Sequence, residues 1–203
     1  TFLKGVNDEQ YLGQNIISNA SCTTNCIAPA ISVIHQEIGV KKAALTTIHA
    51  VTSTQNLVDG PHKDLRRARA AGYNMIPTTT GAAIATTKAI PDLENKFDGL
   101  AIRVPVITGS LSDITMLVKK PTTVEEINNL YIKAKDKAIY KGVLDVTEEP
   151  IVSSDIIKSP YSSIIDLTMT KVIDGDLVKV LSWYDNEWGY SNRLVEMALM
   201  IAS

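Results

Sequence analysis

Only two cysteines occur in the 203 residues, Cys22 and Cys26. They lie four apart, about one helical turn, where a bridge is geometrically awkward, so no disulfide framework is expected and a reducing, cytoplasmic setting fits. Net charge is nearly absent as well: a formal −2 and a pI near 5.9 give no overall attraction to nucleic acid or to an acidic membrane surface. No apolar run is long enough to cross a bilayer, and no charged-then-apolar leader opens the chain. Internal repeats and low-complexity stretches are missing, and so is any Gly-x-Gly-x-x-Gly run between a strand and a helix, which leaves no dinucleotide-binding unit of that kind within these residues. The expected partners are small molecules and other protein chains.

What is there can build one sizeable domain, since 45% of the residues are hydrophobic. Both kinds of element are predicted without regular βαβ alternation, which favours α+β over a doubly wound sheet. Helical spacing runs from Asn25 to Ile38, stopped by Gly39, with Pro29 confined to the first turns or kinking them. Strands are predicted at Lys42 to Thr52, Leu100 to Ile107, Ser110 to Lys119, Ser163 to Val172 and Leu177 to Trp183. Short turns such as Asp174-Gly175 make most neighbours antiparallel. Thr123 and Glu126 form a capping box for one later helix, and another begins near Glu187. Between the strand that carries His49 and the next helix, roughly Ser53 to Thr79 reads as a long polar loop, a length usually reserved for function or interfaces. Its basic cluster, His62 to Arg69, lacks interleaved aromatics for stacking bases and reads as a charged loop that meets a subunit or a cofactor.

Chemistry concentrates at Ser21-Cys22-Thr23-Thr24-Asn25-Cys26, followed 27 residues after Cys22 by His49. Cys22 falls at a predicted helix start, where partial positive charge and free N–H groups favour a thiolate and hold anions. Its hydroxyl and amide flanks suit a solvated turn; Cys26 reads as a small buried hydrophobe, and His35 and His62 as ordinary surface residues. Residue logic leaves Cys22 open between nucleophile and buried thiol, and His49 open between base and core histidine. A zinc site lacks a matching second ligand pair. Further on, Thr78-Thr79-Thr80-Gly81-Ala82-Ala83 sets a second hydroxyl-rich turn before a helix, and Arg103 sits in an apolar strand where a charge needs an anion or a carboxylate. Together these features describe a pocket for an anionic substrate with an electrophilic carbon.

Five segments, Ser18 to Cys26, Thr47 to Thr52, Pro77 to Ala83, Arg103-Val104-Pro105 and Ser182 to Arg193, together resemble the catalytic half of phosphorylating glyceraldehyde-3-phosphate dehydrogenase, in that family's order along nearly the whole chain. The resemblance implies a mixed, mostly antiparallel sheet with helices on one face and the other face meeting subunits of a tetramer. It also implies that Thr52 to Asn74 is an S-shaped loop lining the cofactor pocket and the subunit interface. By the same resemblance Cys22 attacks the aldehyde carbon with His49 as its base. Ser21, Thr23, Thr52, Thr80, Gly81 and Arg103 bind phosphate groups, with Thr52 and Arg103 on that of the substrate. Asn186 holds the nicotinamide carboxamide of NAD, and Tyr190 packs near its ring.

The implied substrates are glyceraldehyde 3-phosphate and inorganic phosphate. Residues 1 to 203 would form the catalytic and oligomerising domain, with the family's dinucleotide-binding half outside the chain and little activity expected without it. Pro61 resembles the NAD-preferring form of the loop. Erythrose 4-phosphate oxidation shares most of these motifs and stays open. So do a non-catalytic assembly module and a cysteine hydrolase that needs no cofactor.

Overall fold

A computed structural model describes residues 1–202, and its centre is a helix with almost no wet face. In α1 (Cys22–Glu37) every residue from Thr23 to Ile34 is buried. Ile27, Ile31 and Ile34 are fully enclosed, and each such side chain contributes roughly 1.5–3 kcal/mol through its removal from water. A helix that is apolar all round belongs in a core. The helix starts three residues before the expected Asn25, because the Ser21 hydroxyl accepts the Thr24 N–H at 3.1 Å and caps it. Pro29 therefore stands eight residues in, past the first turns, and the helix continues through it.

Around α1 stands one seven-stranded sheet: β1 (Val40–His49), β2 (Ile76–Thr79), β3 (Phe97–Arg103), β4 (Ser110–Val118), β5 (Leu144–Thr147), β6 (Ser163–Ile173) and β7 (Leu177–Tyr184), in the order β2-β3-β1-β4-β7-β6-β5. Four of its six pairings are antiparallel; β1 with β3 and β5 with β6 run parallel. The fold is thus the mixed α+β arrangement expected. α2 (Ala82–Ala89), α3 (Val124–Lys135) and α1 enclose the core with the inward side chains of the sheet, among them Leu45, Ile114, Met116, Ile165 and Val180. α4 (Trp188–Ala202) packs against α1. The Thr123–Glu126 capping box is present on α3, and Asp174 and Gly175, both at positive φ, form the tight β6–β7 turn.

Several boundaries differ from the sequence reading. β1 ends at His49 rather than Thr52, because the Ala50 N–H turns away to the Ser110 hydroxyl. β3 starts and ends earlier than Leu100 to Ile107; beyond Arg103 the chain meets Pro105, which cannot donate to a ladder. Two four-residue strands at the sheet edges, β2 and β5, were not expected. β2 lies at the end of the segment read as loop, and its Pro77 is tolerated because it is an edge. Gly99 in β3 has a backbone reason: a Cβ there would lie 2.5 Å from the Leu45 carbonyl oxygen of the paired strand.

Candidate active site

Parallel pairing of β1 and β3 sets His49 opposite Arg103, each the last residue of its strand. The N-terminus of α1 meets these strand ends and brings Cys22 Sγ to 3.4 Å from His49 Nε2. Ala20, just before the Ser21 cap, holds φ at +53°, a left-handed conformation that costs a non-glycine residue about 1–2 kcal/mol. Its carbonyl accepts a hydrogen bond from the Tyr190 hydroxyl at 3.3 Å.

The His49 ring is crowded on its other side. Nδ1 lies 2.7 Å from the Ala50 carbonyl oxygen and 2.5 Å from Arg103 Nη1, and that same Nη1 donates to the Ala50 carbonyl at 3.1 Å. The Arg103 Nε is buried with no partner among the described residues. Tyr184 stands edge-on to the imidazole, centroids 5.9 Å apart and planes at 72°, with its hydroxyl 2.9 Å from both the Thr23 and the Thr47 hydroxyls. It therefore ties α1 to β1 beneath the thiol and the ring.

Burial governs the charges. It pushes the Cys22 thiol up, against the opposing pull of the Thr23 backbone and hydroxyl and of Arg103. It also pushes the His49 imidazole down to about 4, helped by the Arg103 charge. This corrects the expectation of a thiolate at the helix start: desolvation outweighs the helix end, and the resting pair is a neutral thiol beside a neutral imidazole. Cys26, wholly enclosed against Ser182, is pushed up to about 12 and fits the inert role expected of it.

The pair opens into a cleft of about 410 Å³ that Ser21, Thr23, Thr52, Thr80, Gly81 and Arg103 also line. It receives the starts of both α1 and α2, where Gly81 is the cap and the Thr80 hydroxyl accepts the Ala82 N–H at 3.2 Å. A larger cavity of about 730 Å³, around Lys42, Phe97 and Leu117, contains no thiol or imidazole, so chemistry and not volume marks the site. Asn186 and Tyr190 do not line the cleft. Asn186 is buried behind it, its Oδ1 accepting from the Gly109 N–H and the Ser110 hydroxyl and its Nδ2 donating to Glu187.

Two residues of the site escaped the sequence reading. Arg67 lines the cleft, held by the Thr78 hydroxyl at 2.8 Å, yet among four arginines and lysines between Lys63 and Arg67 and on to Arg69 nothing local says which turns inward. Tyr184 reaches the ring only because β7 lies two strands from β1. His35 and His62 are partly buried rather than free on the surface. His35 accepts the Val40 N–H at 3.2 Å and His62 accepts that of Asp64 at 2.9 Å.

These features define a class: an α+β domain built around a thiol–imidazole pair in a cleft that two helix starts and two arginines line. The chain belongs to the family described as glyceraldehyde 3-phosphate dehydrogenase, C-terminal domain, whose pattern matches residues 21–186. Proteins named glyceraldehyde-3-phosphate dehydrogenase are similar to it throughout. That of Mycobacterium avium is 56% identical over 202 residues, covering 99% of this chain and 59% of the relative. That of Mycobacterium leprae is 54% identical over the same shares, and that of Streptomyces coelicolor 50% identical over 205 residues, covering 100% of this chain and 61% of the relative. The chain thus spans about three fifths of the length of these curated relatives.

Proposed function

We propose that this chain is the catalytic and oligomerising half of an NAD-dependent, phosphorylating glyceraldehyde-3-phosphate dehydrogenase, cytoplasmic and homotetrameric in its full-length form. The carrying observation is the 3.4 Å approach of Cys22 Sγ to His49 Nε2 in a cleft that also contains Arg103. His49 Nε2 takes the Sγ proton, and the sulfur forms a bond to the aldehyde carbon of glyceraldehyde 3-phosphate, giving a hemithioacetal. NAD supplies, when bound, the acceptor for the hydride lost from that carbon, which leaves a thioester on Cys22. An oxygen of inorganic phosphate then attacks the thioester carbon, the C–S bond breaks, and 1,3-bisphosphoglycerate departs as the thiolate regains its proton from His49.

Arg103 and Thr52 hold the substrate phosphate; Ser21, Thr23, Thr80 and Gly81 receive phosphate oxygens at the two helix starts. Arg67 adds a second guanidinium to the same cleft. By the resemblance Asn186 holds the carboxamide of NAD, its Nδ2 donating here to Glu187 and its Oδ1 accepting from Gly109 and Ser110. Tyr190, whose hydroxyl donates to the Ala20 carbonyl two residues before Cys22, packs near the nicotinamide ring by the resemblance.

Reversal of the last step needs no cofactor, which makes a direct test. Incubated with acetyl phosphate, the chain is expected to acquire one acetyl group, located by peptide mass spectrometry on Cys22 and not on Cys26, and several-fold more slowly in His49→Asn. Acetylation of neither cysteine, or of both alike, would sink the reading.

A further inference from the structure

Ala50 follows the last residue of β1 and is fully buried, so its N–H and carbonyl need partners beyond the end of the strand. The N–H donates to the Ser110 hydroxyl at 3.1 Å. The carbonyl oxygen lies 2.7 Å from His49 Nδ1 and accepts from Arg103 Nη1 at 3.1 Å. Wherever the ring proton resides, that oxygen is a neighbour against which the imidazole is set. Ser110, the first residue of β4 and itself buried, has one hydrogen to give, and it goes to Asn186 Oδ1 at 2.9 Å. The direction of the chain is fixed. Asn186 Oδ1 also accepts the Gly109 N–H at 3.0 Å, which makes it the oxygen end of the amide, and the Ala50 N–H can only donate to Ser110 Oγ.

We propose that Ser110 is a positioning residue for the reaction, a single hydroxyl that holds the His49 imidazole and the Asn186 amide in one fixed relation. This rests on the reading above, in which His49 serves the sulfur that binds the substrate carbon and Asn186 holds the ring that takes the hydride from it. Two groups that address one carbon must keep their spacing, since a misplacement of about 1 Å can cost on the order of 100-fold in rate.

Main-chain pairing does not reach far enough to set that spacing. The β1–β4 ladder ends at Ile48 opposite Leu111, two residues short of Ala50, and the β4–β7 ladder ends at Ser110 opposite Tyr184, two residues short of Asn186. The Ser110 side chain bridges both gaps. Its Asn186 end is anchored, because the adjoining Asp185 carboxylate accepts from the Thr108 hydroxyl and from the Lys158, Glu187 and Trp188 N–H groups. At the other end the Ala50 N–H has no acceptor but Ser110 among the described residues. Without the hydroxyl, that buried donor is left unpaired, and Ala50 must shift to find another acceptor, carrying its carbonyl with it.

The chain has three histidines, so ring 1H–13C signals in 13C-histidine-labelled protein can be followed one by one, with the His49→Asn spectrum assigning that of His49. Ser110→Ala should shift the His49 signal by several linewidths and leave those of His35 and His62 in place. Asn186→Ala should also shift it in the native background, yet add nothing once Ser110→Ala has broken the chain. Acetylation of Cys22 by acetyl phosphate should slow about tenfold in Ser110→Ala. A His49 signal indifferent to Ser110→Ala, or additive shifts from the two substitutions, overturns the proposal. If Ser110→Ala does not fold, Asn186→Ala decides alone, and an unmoved His49 signal in it is the overturning result. The acetylation rates separate the two readings. If His49→Asn slows the reaction and Ser110→Ala does not, the positioning role alone fails; an unchanged rate in His49→Asn removes the base and its positioning residue together.

Discussion

The histidine proposed as base, His49, is also a liability in acid. Its ring has an ordinary value of 6.5 and a folded value of about 4. Above pH 6.5 it is neutral in both folded and unfolded chains. As pH falls from 6.5 towards about 4, the unfolded chain binds a proton that the folded one refuses, and stability drops by at most about 1.4 kcal/mol per pH unit. Carboxylates titrate in part of the same window, so the informative quantity is a difference. Denaturant midpoints measured from pH 7 to 4.5 should fall more steeply for the native sequence than for His49→Asn. Parallel slopes would mean that the ring is protonated in the folded chain.

At the scale of elements, the start of α1 does two jobs that substitution can separate. Ser21 caps the helix through its hydroxyl and also lines the cleft. Ser21→Ala should cost about 1 kcal/mol in thermal or denaturant stability. Ser21→Asp keeps a capping oxygen and favours the helix end, so stability should hold while its negative charge weakens binding of inorganic phosphate by tenfold or more. Equal phosphate affinity in the two variants would deny the helix start its anion role. The central elements were legible because their signals are local: the cap at Thr123, the turn at Asp174-Gly175 and the alternation in β4 and β7 all lie within a few residues. β2 and β5 were not, because four-residue edge strands carry too little periodicity, and β2 includes a proline and three threonines with the residue that follows it. Cys22, His49 and the hydroxyl turns were visible as types in a pattern. The charge state of the pair was not, because it depends on how deeply packing buries them, and the crowding at Nδ1 depends on the register between β1 and β3.

For the whole molecule, the informative surface is the loop between β1 and β2. Leu57, Val58, Leu65, Tyr73 and Met75 are each at least 75% exposed within it, while the loop's own hydrogen bonds, such as Asn56 N–H to the Arg67 carbonyl and Ala71 N–H to that of Asn56, hold its backbone in shape. An ordered loop with uncovered apolar side chains is expected to meet another subunit. Leu65→Asp combined with Tyr73→Ser should lower the assembly state in sedimentation velocity while leaving far-UV circular dichroism unchanged; an unaltered mass would place the interface elsewhere. The burial of α1 has a different bearing. Its first residue is Cys22, the proposed nucleophile, and its next twelve are buried, so the seat of that thiol is continuous with the interior. Loss of Cys22 reactivity on heating and melting of the core are accordingly expected to coincide, which would make Cys22 a sentinel whose chemistry reports whether the core still exists.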